Sequence, residues 1–211
     1  MLHPEPLDRS RWVGLWDRLG AHGDGLPIFS ALQVAYAEPA RAYHTADHIR
    51  DCLTQFDVSR HNAQRPDEVE AAVWFHDAVY LPGAPDNEDH SARLVLTTLA
   101  EASTPVEVAG RIAGLVLATQ HLAIPAEPDA RLLCDIDLSI LGRTPEVFDE
   151  FERRIRLEYG WVPERVYRGA RVEILAEFLR RPAIYQTDYF RDCYEGPARA
   201  NLARILKELS G

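Results

Sequence analysis

The sequence predicts an all-α fold, and three observations support it. Apolar residues recur at the i, i+3, i+4, i+7 spacing of an amphipathic helix along nearly the whole chain. No stretch shows the strict apolar and polar alternation, bounded by turns, that is typical of a half-buried strand. Residues that favour helix starts and ends, such as Thr144-Pro145 and Gly160, also stand at the limits of the periodic segments.

Each predicted helix follows from this periodicity and from the residues at its ends. Proline at or near the first helical position favours starts at Pro105, Pro145 and Pro163, and Gly142 and Gly160 stand where a left-handed C-cap would end a helix. In order, the predicted helices span 8–19, 27–36, 46–57, 67–80, 88–100, 105–119, 129–141, 145–159, 163–180 and 198–209.

Length and composition predict one domain. A chain of 211 residues with 46% hydrophobic residues fits a single core over 1–211, in which the C-terminal third, about 145–211, packs as additional helices. The net charge of -10 argues against a nucleic-acid polymer or an anionic membrane as partner. It leaves room for a small phosphorylated substrate, because a bound divalent cation reverses the local field.

The first residues and the cysteines bear on the compartment. The start MLHPEPLD has neither the basic nor the apolar region of a secretory signal, so we expect a cytoplasmic protein. Cys52, Cys134 and Cys193 are far apart and form no CxxC pair. We therefore expect three small core residues rather than a disulfide or a thiolate zinc site.

Two ionisable residues interrupt the apolar stripes of strongly periodic segments. His76 lies in the stripe of the 67–80 segment, and Asp137 lies in that of the 129–141 segment. A lone buried carboxylate is costly, so Asp137 needs a cationic partner or a metal ion. Because Asp77 adjoins His76, we favour a metal. Asp135 is two residues from Asp137, about 200° around the helix, and therefore caps, pairs with an arginine or orients a metal ligand.

A second group of candidates lies in the segment 43–49. Thr45 or Asp47 is expected to cap the third helix, which leaves His44 in the approach loop and puts His48 in the first turn. His48 can then point into the core, while His44 faces the opening.

The order His48, His76-Asp77, Asp137 resembles the H...HD...D pattern of the HD-domain superfamily of metal-dependent phosphohydrolases. YHTADHI also looks like the YHNxxHA string of the cyclic-nucleotide phosphodiesterase branch, although Thr45 replaces its asparagine, so cyclic-nucleotide specificity is not carried over. A closer resemblance, to small bacterial proteins described as predicted HD-superfamily phosphohydrolases, runs through YHTADHI, WFHDAVY, DIDLSILG and ARANL.

The resemblance implies an HD-domain-like bundle of about ten helices and a set of residue roles. It makes His48, His76, Asp77 and Asp137 the metal ligands, and it makes His44 the proton donor to the leaving oxygen. Such a set suits one or two ions of Mn²⁺, Fe²⁺, Zn²⁺ or Mg²⁺, with Asp77 able to bridge two. The implied reaction is hydrolysis of a nucleotide or other small phosphoester by a metal-activated water.

Five further residues are weaker candidates. Glu88 either holds a metal-bound water or simply favours a helix N-terminus, and His90 stands in an acidic helix start. His121 either ligates a second metal, contacts the substrate or caps a helix. Arg156 either grips phosphate or belongs to a solvated face, and Asp135 has the alternatives given above.

Two other functions remain open. An HD-type di-iron oxygenase would need extra histidines, for which His90 and His121 are the candidates. A binding module without turnover would use the metal for structure alone, but it would need no acid such as His44 outside the ligand set.

Overall fold

The computed structural model describes residues 7–210, in which all regular structure is helical. The all-α prediction is therefore confirmed for these residues. Residues 1–6, on which the prediction of no signal sequence depends, lie outside the described part of the chain. Within 7–210, every helix is too short or too polar to cross a bilayer.

Ten α-helices, named α1 to α10, and two 3₁₀ segments, at Arg60–Asn62 and Leu138–Gly142, make up this regular structure. Seven of the ten α-helices begin and end within two residues of their predicted limits. The helices lie at Arg9–Arg18, Leu26–Ala35, Ala46–Ser59, Pro66–Phe75, Asn87–Glu101, Val106–Ala118, Pro128–Asp137, Pro145–Glu158, Glu164–Arg180 and Asp188–Ser210.

The chain divides into two compact units between Leu133 and Cys134, a point that lies within α7. Helices α1 to α6 belong to the first unit, and α8 to α10 belong to the second. Within each unit, helices pack against one another.

Helix α4 is the central helix of the first unit, packing against α1, α3, α5 and α6. Every residue from Glu68 to Phe75 is buried, and the two acidic residues among them are paired. Arg111 donates two hydrogen bonds to Glu68, at 2.6 and 2.7 Å. Glu70 accepts from three guanidiniums, those of Arg11, Arg18 and Arg60. These pairs matter because an unpaired buried carboxylate would cost several kcal/mol, on the order of 3–5.

In the second unit, α10 packs against α9 and against the 3₁₀ segment Leu138–Gly142. Gly142 allows the close approach, because a Cβ there would lie 2.7 Å from the backbone oxygen of Tyr194. Neither Gly142 nor Gly160 has a positive φ, so the predicted left-handed C-caps at these glycines are wrong. At Gly142 the missing side chain serves packing rather than backbone conformation.

Three helices depart from their predicted limits. Helix α4 ends at Phe75 rather than at residue 80, and α7 gives way to the 3₁₀ segment after Asp137. Helix α10 starts ten residues earlier than predicted, with Pro197 inside it. Proline removes one helical N–H, which is why the sequence favoured a later start, but the flanking turns continue the helix. Cys193, in α10, is exposed, so the expectation of a core position is wrong for it, whereas Cys52 and Cys134 are buried.

Candidate metal centre

The end of α4 places the first pair of candidate residues. The N–H of His76 donates to Ala72 at 2.9 Å in the helical manner, and the chain then turns. The guanidinium of Arg41 donates to the carbonyls of Asp77 and Ala78, at 2.6 and 3.1 Å. These two carbonyls lie just beyond the end of the helix, and Arg41 supplies their donors. His76 and Asp77 thus lie at the point where the chain leaves the helix, His76 as its C-cap and Asp77 in the turn that follows.

The start of α3 places the third residue. Thr45 is the N-cap, with an extended backbone and a side chain that accepts a 3.3 Å hydrogen bond from the N–H of Asp47. Of the two caps that the sequence allowed, the structure has Thr45. His48 therefore lies in the first turn of α3, where it is 4% exposed, and His76 is 2% exposed.

The side chains of His48, His76 and Asp77 meet at one point. The two Nε2 atoms lie 3.1 Å apart, and Asp77 Oδ2 lies 3.4 Å from His48 Nε2 and 3.1 Å from His76 Nε2. The Nε2 atoms of two buried imidazoles and one carboxylate oxygen are thus all in mutual contact. This triangle is the core of the candidate site.

The dimensions of the triangle fit a divalent ion. With metal–ligand bonds of about 2.0–2.2 Å, neighbouring ligand atoms lie roughly 2.8–3.1 Å apart in octahedral geometry and roughly 3.3–3.6 Å apart in tetrahedral geometry. The three observed distances fall within or between these ranges. One point therefore lies within about 2.1 Å of all three atoms.

Hydrogen bonding orients the His76 ring. Its Nδ1 lies 2.9 Å from the carbonyl oxygen of Val73, a contact that requires the proton on Nδ1. In the neutral ring Nε2 then has a lone pair directed at His48 and Asp77, whereas in the protonated ring it donates to Asp77. A histidine whose other nitrogen donates to a carbonyl is the usual arrangement for a metal ligand, since it fixes both the tautomer and the ring orientation.

The charge of Asp77 completes this part of the site. Burial raises the pKa of its carboxyl, but when the imidazoles are protonated, the positive charges of His76 and His44 and hydrogen bonds from His48 and His76 outweigh burial and hold the pKa well below its usual value. Asp77 is therefore an anion that faces two imidazoles. Its negative charge is suited to a cation at the centre of the triangle.

Cys52 is a neighbour that the sequence did not single out. Its sulfur lies 3.7 Å from both ring nitrogens of His48, and the ligand atoms of His48, Cys52 and His76 lie within 4.8 Å of one another. The signal was the four-residue spacing from His48, which puts both side chains on one face of α3. Two buried histidines and a buried cysteine that could bind a metal therefore lie together in the first unit, and Asp77 contacts both histidines.

The resemblance to the HD-domain superfamily rests on the order His48, His76-Asp77, Asp137. The structure brings the first three of these side chains together. Searches with this chain found no matching family model, curated protein or solved structure. Membership of the superfamily therefore stays a prediction that rests on the residues themselves.

His44 lies in the turn before α3, half-buried beside the cluster. Its imidazole stacks on the Tyr80 ring, with centroids 4.1 Å apart and planes inclined by 30°. Its centroid lies 6.0 Å from that of His48. The predicted approach-loop position is thus observed.

Asp135 and Asp137 lie on the part of α7 that belongs to the second unit. Asp137 is half-buried and ends the helix. Asp135 is 1% exposed and accepts hydrogen bonds from the N–H groups of Gln186 and Thr187 and from the Thr187 hydroxyl. These donors directly precede α10, so Asp135 fixes the backbone at the entry to that helix.

The remaining candidates have separate surroundings. His90 is exposed on α5 and pairs with Asp86 at 3.2 Å, while Glu88, in the first turn of the same helix, is half-buried. His121 follows α6 with a left-handed backbone, φ 55°, which is uncommon for a residue other than glycine. Arg156 donates to Glu164 and to two carbonyls of the loop between α8 and α9. Its guanidinium thereby joins those two helices.

Proposed function

We propose that this protein is a metal-dependent phosphohydrolase of the HD-domain superfamily that hydrolyses a nucleotide or another small phosphoester. The observation that carries the proposal is the triangle of His48 Nε2, His76 Nε2 and Asp77 Oδ2, with sides of 3.1 to 3.4 Å. Two neutral imidazoles and one carboxylate suit Mn²⁺, Fe²⁺, Zn²⁺ or Mg²⁺.

Asp137 is the proposed fourth ligand. It interrupts the apolar stripe of α7, where an ionised carboxylate needs a compensating cation. With His48, His76 and Asp77 it would give two nitrogens and two carboxylates, a set that leaves further positions for water and substrate. A bound ion supplies Lewis acidity toward a phosphoryl oxygen and a water of lowered pKa.

The residues of the chain divide the remaining work. In the neutral ring the Nδ1 bond to Val73 leaves a lone pair on His76 Nε2 for the ion, and the charge of Asp77 would hold the cation. His44, outside the triangle and stacked on Tyr80, is the proposed proton donor to the leaving oxygen. An imidazole suits this role because its ordinary pKa lies near neutrality.

The proposed partner is a small phosphorylated molecule in the cytoplasm. The net charge of -10 disfavours a nucleic-acid polymer or an anionic membrane as partner. A divalent ion would provide the positive charge that a phosphoester needs at the site itself.

The test begins with elemental analysis of protein purified without added metal, followed by a phosphatase screen with the ion that is found. We expect a near-stoichiometric divalent metal and metal-stimulated phosphate release. His76→Ala should abolish both, whereas the exposed His61→Ala should change neither. Circular dichroism of both variants confirms that the helices are intact.

Three outcomes would contradict the proposal and separate its alternatives. No turnover of nucleotides or simple phosphoesters with any divalent ion would refute phosphohydrolase activity. Two irons per chain with oxygen-dependent optical changes would identify a di-iron oxygenase. Nucleotide binding without turnover, combined with unfolding on chelation, would identify a binding module.

A further inference from the structure

Arg41 is a buried arginine beside the candidate site that the sequence did not single out. Its side chain is 1% exposed, and its guanidinium donates to the carbonyl oxygens of His44, Asp77 and Ala78 at 3.3, 2.6 and 3.1 Å. Glu38 balances its charge at 3.1 Å. One planar group thus joins the backbone of the proposed proton donor to that of a proposed metal ligand.

A column of three flat groups connects Arg41 to His44 by a second route. The Arg41 guanidinium carbon lies 5.5 Å from the centroid of the Tyr80 ring, and that ring stacks on the His44 imidazole at 4.1 Å. The Tyr36 ring lies 5.3 Å from the same guanidinium carbon. Cation–π contacts of this kind hold a guanidinium in one plane, and that plane in turn supports Tyr80.

We propose that Arg41 is a positioning residue, which fixes His44 relative to Asp77 through their two carbonyls and through the Tyr80 ring. The inference rests on the proposed function only in naming His44 as the proton donor. Lysine cannot take this position equivalently, because it lacks the planar fork of donors and stacks poorly between aromatic rings.

The chemical test compares two leaving groups. A 4-nitrophenyl phosphoester needs little help from an acid, since its leaving group is already a stable anion, whereas an alkyl phosphoester needs a proton. Arg41→Met should lower kcat for the alkyl ester about 100-fold, the typical contribution of a general acid, with KM and metal content nearly unchanged. For the 4-nitrophenyl ester we expect a loss of no more than about threefold, by the same reasoning.

Arg199→Met is the matched control. Arg199 also holds the carbonyls of a connection, donating to Leu179, Arg181 and Pro182, but it belongs to the second unit. Its loss should affect both esters equally. Equal losses for both esters in Arg41→Met, or loss of its metal, would show a general structural role and overturn the proposal.

A spectroscopic test is independent of turnover. The Tyr80 ring should shift the ring-proton resonances of His44, which are assigned by their disappearance in His44→Gln. Tyr80→Leu should abolish this shift, Tyr80→Phe should keep it, and Arg41→Met should move the resonances toward those of Tyr80→Leu. Unchanged His44 resonances in Arg41→Met would refute the positioning role.

The two tests separate the possible failures. If the wild-type protein hydrolyses no phosphoester, the proposed function fails, but the His44 resonances still decide whether Arg41 positions that ring. If Arg41→Met does not fold, Arg41→Lys takes its place in both tests. Lysine keeps the positive charge but lacks the planar fork of donors, so we expect the kcat values and the His44 resonances to change in the same direction as in Arg41→Met.

Discussion

Two largely buried carboxylates, Asp77 and Asp135, are stabilised in opposite ways. Asp135 accepts two backbone N–H groups and the hydroxyl of Thr187, all at 2.7 to 3.0 Å. Asp77 instead faces the Nε2 atoms of two histidines. Backbone donors are fixed in place, but an imidazole nitrogen can exchange its proton for a cation. Burial alone therefore does not indicate a site, and the identity of the partners does.

The pKa values point the same way. Burial raises the pKa of Asp135 to about 6, although its hydrogen bonds from Thr187 and Gln186 lower it. For Asp77, the neighbouring histidines overcome the effect of burial and hold the pKa well below its usual value. Of these two carboxyls, Asp77 is the one whose surroundings strongly favour the anion.

The largest expected effect is that of Asp77→Asn. Because the neutral amide is a much weaker ligand than the carboxylate, the variant should lose its metal. Its phosphoester turnover should fall about a thousandfold, which corresponds to ~4 kcal/mol of transition-state stabilisation. Metal content by elemental analysis and kcat on the best substrate check this. Asp135→Asn should keep its metal. A metal that remains stoichiometric in Asp77→Asn would remove the distinction between the two carboxylates.

The second largest effect is expected for Asp135→Ala, which should lower the stability of the fold. It leaves the N–H groups of Gln186 and Thr187 without their acceptor, so we expect a loss of about 3 kcal/mol in the free energy of unfolding. Urea denaturation measures this loss, and metal content should not change. A loss below about 0.5 kcal/mol would mean that water replaces the carboxylate without cost.

Metal removal should have a similar or slightly smaller effect. An ion at a free concentration a hundred times its Kd stabilises the folded state by about 2.7 kcal/mol, which chelation removes. Thermal unfolding with and without chelator should show this difference in the wild type and not in Asp77→Asn. An equal response in both proteins would place the ion elsewhere.

Much of the fold and part of the site could be predicted from the sequence. Most helix limits followed from local periodicity and from the residues at helix ends. His76 was identified because it lies on an apolar stripe, and His48 because a cap at Thr45 or Asp47 puts it in the first turn of a helix; both signals are local. The adjacency of His76 and Asp77 was also visible, although the reason that both reach one point was not.

Contacts between distant parts of the chain account for what was missed. Helix α4 ends at Phe75. Arg41, which lies in a loop before α3, donates hydrogen bonds to the carbonyls of Asp77 and Ala78 in the turn that follows. The periodicity of α4 contains no information about a donor from another part of the chain, so the predicted helix ran on to residue 80. Cys52 was missed for a different reason, since a cysteine in an apolar stripe is usually a core residue.

The smallest expected effect tests how much a single hydrogen bond to Asp135 contributes to stability. Thr187→Val keeps the shape of the side chain and removes the hydroxyl that donates to Asp135 at 2.7 Å. Two backbone donors remain, so we expect a loss of about 1 kcal/mol in the free energy of unfolding.

Thr187→Ser is the matched control, because it keeps the hydroxyl and removes only a methyl group. If the Thr187 hydroxyl acts only through Asp135, Thr187→Val combined with Asp135→Ala should cost no more than Asp135→Ala alone, since the hydroxyl has then already lost its acceptor. A clearly additive loss would show that Thr187 stabilises α10 in another way. Asp135 would then depend on the backbone alone, which would make its contrast with Asp77 sharper still.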